Sequence, residues 1–347
     1  MKLLVTGNLG YIGSELGKQI KGHFLNAELV GCDLGLFKQC LTANSRAGDT
    51  FYDIQYYMDV RDITKDFIKG YDAVVCLAAV SNDPISKDFE KATHSINLQS
   101  SFQLAQLCVD EGVSKFVFAS SCSMYGSGGS KAKIESDKTD PLTAYAKSKI
   151  GFENKIKETI HSQNTDFIFL RFSTACGISD RLRLDLVLND FVAGAVKYKK
   201  IKILSDGSPL RPLIDVKDMC QAIIWAIKKP KEKKSRLSIN IGSNKLNYSV
   251  LELAHKVKEH IPDTDIIIND NAQPDKRSYK VDFSLYKRIG GDYYPKMTID
   301  KTIDELINQI KSIDLPPEDF SNSKFIRLNH LRSLLKSKCI NKELRWI

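Results

Sequence analysis

Residues 2–13 read KLLVTGNLGYIG. Leu3, Leu4 and Val5 form a short apolar run that ends at Thr6, and Gly7, Gly10 and Gly13 follow at three-residue intervals. The run suits a buried strand, and the spaced glycines mark a tight turn into a helix. Backbone N–H groups in such a turn can approach a pyrophosphate, and the N-terminus of the next helix adds partial positive charge. Residues 12–22 have helical character, and AELVGCD at 27–33 reads as a second strand. Asp33 ends it, twenty residues after Gly13. A carboxylate there can accept from both ribose hydroxyls and repels a 2′-phosphate, so the pattern favours NAD over NADP. A glycine triplet alone also marks plain turns; its place between strand and helix, with Asp33 behind it, makes the pattern specific.

Outward from this turn, apolar runs alternate with helical stretches. DAVVCLAA (72–79), KFVFASS (115–121) and TDFIFLRFS (165–173) read as strands, with a long helical stretch from Ser86 to Glu111. Continuous apolar strands separated by helices call for a parallel sheet covered on both faces. The expected fold class is α/β: a Rossmann-type doubly wound parallel sheet with a smaller, mixed α/β C-terminal lobe. The second half is less regular. LIDVKDMCQAIIWAIKK (213–229) is a strand leading into a helix, SINIGS (238–243) a strand, and 249–261 an amphipathic helix. The expected division is a dinucleotide-binding domain over 1–173, with 211–240 returning to it. Residues 174–210 and 241–314 form the second lobe, and 315–347 a C-terminal linker and helix. Phe325, Leu328, Leu331 and Leu335 share one face of that last helix, over 324–338.

With 347 residues the chain can bury a large core, and 42% hydrophobic against 27% charged residues is an ordinary globular balance. No apolar run is long enough to cross a bilayer, and the one at Leu3–Val5 is too short for a signal peptide. A cytoplasmic enzyme is the expectation. The net charge of +9 comes from lysines spread along the chain, with one run at 228–234, and suggests neither nucleic acid nor membrane as partner. Eight cysteines without a CxxC pair and six histidines without ligand spacing imply reduced thiols and no metal site.

Tyr145 and Lys149 lie four residues apart in YAKSK, on one face of a helix. A free tyrosine titrates near pH ~10, too high for a base at neutral pH. A neighbouring ammonium and a cationic nicotinamide ring would stabilise the phenolate, which could then take a proton from a sugar hydroxyl.

With these motifs in this order, the chain resembles an extended short-chain dehydrogenase/reductase of the NAD-dependent epimerase/dehydratase family, which includes UDP-galactose 4-epimerase. The resemblance runs from residue 1 to about 310, through TGxxGxxG (6–13), DVRD (59–62), CLAA (76–79), SINLQSS around Asn97, SSCSMYG (120–126), YAKSK (145–149), SDGSPLRPLIDVKD (205–218), NIGS (240–243) and PDKRSYKVD (274–282). It implies that Gly7, Gly10, Tyr11, Ile12, Gly13 and Asp33 hold NAD, that Asp59 and Val60 meet the adenine, and that Leu77, Ala78, Ala79 and Asn97 line the cofactor channel. It implies Ser121, Tyr145 and Lys149 as the catalytic set. Ser81, Ser123, Asn189, Arg211 and Arg277 would join Ser121 around a nucleotide-diphosphate sugar, the arginines clamping its diphosphate. A homodimer is implied as well.

Departures from the family pattern narrow the chemistry. Ser121-Cys122-Ser123 stands where family dehydratases carry Thr-Asp-Glu, and sugar-acid decarboxylases have Glu at the Ser123 position. Cys122 is offset from the cysteine of GDP-fucose synthases, whose position is Ser123 here, and reads as a packing residue. Asp215 replaces a usual His, and Thr174 an Asn common in 4-epimerases. The reading is C4 epimerisation through a transient 4-keto sugar. A 4-oxidase or 4-ketoreductase is the closest alternative, and a non-catalytic dinucleotide- or RNA-binding relative is the remaining one.

Overall fold

The computed structural model describes residues 1–42, 48–161, 164–230, 236–269, 278–317 and 319–347. Its frame is a seven-stranded parallel sheet whose strands, in chain order, are Lys2–Thr6, Glu28–Asp33, Ile54–Tyr57, Ala73–Cys76, Lys115–Ser121, Asp166–Phe172 and Arg236–Ile241. Across the sheet their order is 3-2-1-4-5-6-7. The order reverses between the first and fourth strands, which pair in register from Leu3 with Ala73 to Thr6 with Cys76. In open α/β sheets that reversal opens a crevice at the strands' carboxyl ends, where ligands bind.

Apolar residues cover both faces, as the continuous runs require. On one side Leu3, Val5, Val75, Val117, Ile168 and Leu170 pack beneath the helices Tyr11–His23 and Val216–Lys228. On the other, Leu4, Val30, Val74, Phe116, Phe118 and Phe169 meet the helices Ser101–Asp110 and Ala144–Thr159. The third strand, Ile54–Tyr57, lies at the sheet edge with mostly exposed side chains, so it has no apolar run to announce it.

The stretch expected as one helix from Ser86 to Glu111 is broken. It comprises helices Asp83–Asp88 and Glu90–His94, a π turn at Ser95–Ser100 and helix Ser101–Asp110. Phe89 leaves the helical conformation (φ −125°, ψ 50°), and its ring is buried with Val80, Ile85 and Leu331. Tertiary packing overrides the local helical pattern there.

A second core gathers the helices Val187–Tyr198, Val250–His260 and Ile299–Lys311, around Leu188, Val192, Leu253, Val257, Ile303 and Leu306. Small sheets join it to the frame. One holds Asn247–Ser249, Leu210–Asp215 and Thr174–Cys176; one pairs Asp265–Ile268 with Lys200–Ile203, and one pairs Ser278–Val281 with Ser127–Lys133. The stretch 315–323, expected as a linker, buries Leu315 and Phe320 in this second core. The last helix, Arg327–Lys336, is shorter than the expected 324–338. Leu331 is buried on it, and Phe325 just before it.

Candidate active site

One cavity of about 950 Å³ runs along the carboxyl ends of the central strands, at the reversal of strand order. At one end lies the glycine turn. Gly7 has φ +75°, and a Cβ on it would stand 2.5 Å from the Ala78 backbone nitrogen. A Cβ on Gly13 would stand 2.4 Å from Asn8 Cα. Both positions therefore need glycine for close backbone approach. Gly10, Tyr11 and Ile12 line the same end.

The Asp33 carboxylate accepts from Leu9 N (3.1 Å) and Gly35 N (2.7 Å), so it is held at the mouth of the turn. Burial raises its titration point, and these two N–H groups partly counter that. Asp59, Val60, Leu77, Ala78 and Ala79 line the cavity beside it. A turn that excludes side chains at two glycines, opening a helix and faced by a fixed carboxylate, fits a dinucleotide.

The other half of the cavity holds the Tyr/Lys pair. Thr143 starts the helix Ala144–Thr159: its Oγ1 accepts from Ala146 N (3.2 Å) and donates to Asp83 Oδ1 (2.7 Å). One turn on, the Lys149 ammonium donates to Ala119 O (2.7 Å) and lies 5.7 Å from the Tyr145 ring centroid. Lys149 is 2% exposed, and burial pushes its ammonium down to about 8. Burial likewise pushes the Tyr145 phenol up to about 12, opposed by a hydrogen bond with Ser121. Ser121 ends the fifth strand of the sheet, where its Oγ donates to Ser123 Oγ (2.9 Å) and accepts from Ser123 N (3.2 Å).

Beneath this group, fully buried Glu153 accepts from Arg171 Nη2 (2.7 Å), Ser120 Oγ (2.6 Å) and Ser238 Oγ (2.8 Å). That network ties the helix carrying Tyr145 to three strands of the sheet.

Of the residues assigned to substrate, Ser81, Ser121, Ser123 and Arg211 line the cavity, as does Thr174. Asn189 is not among the lining residues, nor is Asn97, which was expected along the cofactor channel. Asn97 is fully buried; it accepts from Val80 N (2.8 Å) and donates to Val80 O (2.9 Å) and Ser148 Oγ (3.1 Å). Asn189 accepts from Gly177 N (3.0 Å) and donates to Arg183 O (3.0 Å). Both amides are taken up in holding loops that border the site. Arg277 lies outside the described residues. Asp215 caps the helix Val216–Lys228 and accepts from Thr302 (2.8 Å), away from the cavity wall, and burial pushes it up to about 7. Cys122 is fully buried with its thiol against Arg171 O.

Sequence reasoning passed over a buried basic cluster. Arg183 makes a two-point bond to Asp185 (2.9 Å each) and donates to Ser81 Oγ (3.0 Å) in the cavity wall. Arg181 donates to Ser14 Oγ (3.2 Å) and faces Asp49 (3.3 Å). Arg327 reaches the same place from the last helix. The available signal was SDRLRLD at 179–185, where two arginines alternate with two leucines between aspartates.

The sequence profile of the NAD dependent epimerase/dehydratase family matches residues 3–242. The chain is 28% identical over 241 residues to Protein CapI of Staphylococcus aureus, covering 66% of this chain and 70% of that protein. It is 25% identical over 278 residues to a UDP-glucose 4-epimerase of Lactobacillus helveticus, covering 74% and 82%. It also superposes on the UDP-glucuronic acid 4-epimerase of Bacillus cereus, solved with UDP-glucuronic acid and NAD. The TM-score there is 0.76 at 24% identity, over 90% of this chain and 99% of that one. At that identity the likeness shows the fold. The profile spans more than half the chain, and with the Rossmann-type sheet and the glycine turn it settles the assignment: this protein is an enzyme of the NAD-dependent epimerase/dehydratase family, with NAD as its cofactor.

Proposed function

We propose that the enzyme epimerises a nucleotide-diphosphate sugar at C4 through a transient 4-keto sugar. The observation that carries this is the convergence of Ser121, Tyr145 and Lys149 on the cavity that also holds the glycine turn and Asp33. NAD, when bound, supplies reversible hydride transfer at the sugar carbon. The protein's part is to move the proton and hold the sugar. Tyr145 takes the proton of the C4 hydroxyl, and Ser121, already hydrogen-bonded to the phenol, bridges the two oxygens. Lys149 supplies positive charge that stabilises the phenolate. Arg211, Ser81 and Ser123 receive the diphosphate and sugar hydroxyls, and Arg277 belongs to the same proposed clamp. In this reading the keto sugar turns within the cavity and takes hydride on its other face. The Ser-Cys-Ser triplet lacks the acid and base that water elimination needs, which supports epimerisation over dehydration. By resemblance the enzyme works as a cytoplasmic homodimer, which fractionation and light scattering would test.

The test is a panel of UDP-, GDP-, CDP- and dTDP-sugars, followed for C4 inversion by NMR without added cofactor. An epimerase regenerates its own NAD and turns over continuously. Stoichiometric consumption of external NADH would identify a ketoreductase instead, and no turnover on any sugar with NAD still bound would reject the enzyme reading. Tyr145→Phe is the control: it should keep NAD and lose ~10²–10⁴-fold in rate.

A further inference from the structure

The last residues of the chain bear on the cofactor pocket. The 325–347 segment crosses the end of the cavity where Asp33 and Asp59 stand, and Ile326, Arg327, Leu331 and Leu344 form part of its wall. It is fastened to both loops there. Trp346 Nε1 donates to Leu34 O (2.8 Å), and His330 Nε2 lies 2.8 Å from Leu36 O. Arg345 forks onto Asp62 (2.6 and 2.9 Å), and Arg61 donates back to Glu343 O (2.9 Å). These contacts tie the tail to the loops that follow the second and third strands.

Arg327 is the one cation this tail places in the cavity wall. It is 2% exposed. Its guanidinium lies over the Phe37 ring (4.6 Å to the centroid), and Nη2 donates to Arg181 O (2.9 Å). Its Nη1 is buried and has no hydrogen-bond partner among the described residues. The neighbouring arginines each face a carboxylate, Arg181 with Asp49 and Arg183 with Asp185. The neutral thiol of Cys40 sits against Arg327 instead. Asp33 and Asp185 act on Arg327 only at longer range, and no carboxylate among the described residues lies within ion-pair distance of it. A buried guanidinium with an unused N–H is then costly unless an anion joins it. Arg181, whose carbonyl Arg327 holds, donates to Ser14 Oγ in the first turn of the helix after the glycine turn. The pyrophosphate of a dinucleotide binds at that helix end.

We propose that the C-terminal segment is a strap over the adenosine end of the pocket. From it Arg327 donates Nη1–H to the cofactor's pyrophosphate, so the enzyme retains NAD between turnovers. The 2′ position is a poorer partner, because Asp33 faces that end with a negative charge. The strap thus converts a sequence tail into part of the binding site, and the inference rests on NAD as the cofactor, not on the sugar chemistry.

The experiment measures dinucleotide bound per chain after purification, the rate of NAD release, and affinities for NAD, ADP-ribose and adenosine by calorimetry. Arg327→Met should weaken NAD and ADP-ribose alike by roughly 10- to 150-fold, the range of one charge-assisted hydrogen bond. Adenosine, which carries no phosphate, should bind as to wild type. Arg345→Ala, which unfastens the tail from Asp62 without changing a cavity-lining residue, should speed NAD release. Wild-type affinity and release in Arg327→Met would overturn the proposal, as would an equal loss for adenosine, which marks simple collapse of the pocket. Should Arg327→Met fail to fold, Arg327→Lys decides: weaker NAD binding with adenosine unaffected supports the phosphate contact, and unchanged NAD binding refutes it. A wild type that holds no dinucleotide would strike at the cofactor site itself, a distinct result.

Discussion

Replacing Lys149 with Met tests how the tyrosine is made into a base. In the free enzyme burial holds the Tyr145 phenol at about 12, so at neutral pH almost none is ionised. The Lys149 ammonium lies 5.7 Å from the ring centroid. At an effective dielectric of about 20, a unit charge at that distance is worth ~3 kcal/mol, or about 2 pKa units. Lys149→Met should therefore raise the tyrosine's titration point by that amount and slow cofactor reduction by the sugar about 100-fold below it. Lys149 itself titrates at about 8, because burial disfavours its charged form. Below that pH the wild type has the ammonium and the variant lacks it. Above it the wild type loses the charge too, so the gap between the two should close as pH rises through about 8. The assay is single-turnover reduction of bound NAD, followed by absorbance across neutral and alkaline pH. A gap that stays constant with pH, or is absent, would refute electrostatic activation by Lys149.

The same substitution bears on stability with a definite sign. The folded-state value of about 8 lies below the ordinary 10.5, so the unfolded chain binds this proton more tightly. Dinucleotide-free Lys149→Met should melt higher than wild type at neutral pH, with the advantage shrinking as pH climbs from about 8 toward 10.5, as calorimetric scans would show. Asp33→Ala removes the acceptor for Leu9 N and Gly35 N, and should weaken NAD and relax discrimination against NADP in parallel titrations. Arg171→Met leaves Glu153, which is 0% exposed, with only the half-exposed Lys157 ammonium at 3.6 Å for a cation; a loss of up to ~3–5 kcal/mol in denaturant unfolding is expected. Arg211→Ala should weaken nucleoside-diphosphate binding roughly 10- to 150-fold and leave NAD affinity alone, which calorimetry with UDP, GDP, CDP and dTDP would check.

The sequence by itself was sufficient where the physics is local. Glycines at 7, 10 and 13 after an apolar run mark a turn into a helix, though the backbone that Gly7 lets approach, at Ala78, follows another strand. Tyr145 and Lys149 meet because a helix brings residues four apart onto one face. Strands buried on both faces betray themselves as unbroken apolar runs, as KFVFASS and TDFIFLRFS do. The edge strand Ile54–Tyr57, exposed to water, left no such mark.

Only the tertiary structure decided what long-range contacts govern. Asn97 stands in a motif, and Asn189 at a position, for which the resemblance implies ligand contact; their amides go to Val80, Ser148, Gly177 and Arg183, partners up to 51 residues away. Phe89 breaks a continuous helical pattern because Leu331, from the far end of the chain, helps bury its ring. The amphipathic pattern around Leu331 announced an apolar face and not where it would dock. Docking carries Arg327 into the cavity beside Arg181 and Arg183, residues more than 140 positions earlier. Periodicity records which side of an element seeks burial, whereas the partner that supplies it depends on the packing of the whole chain.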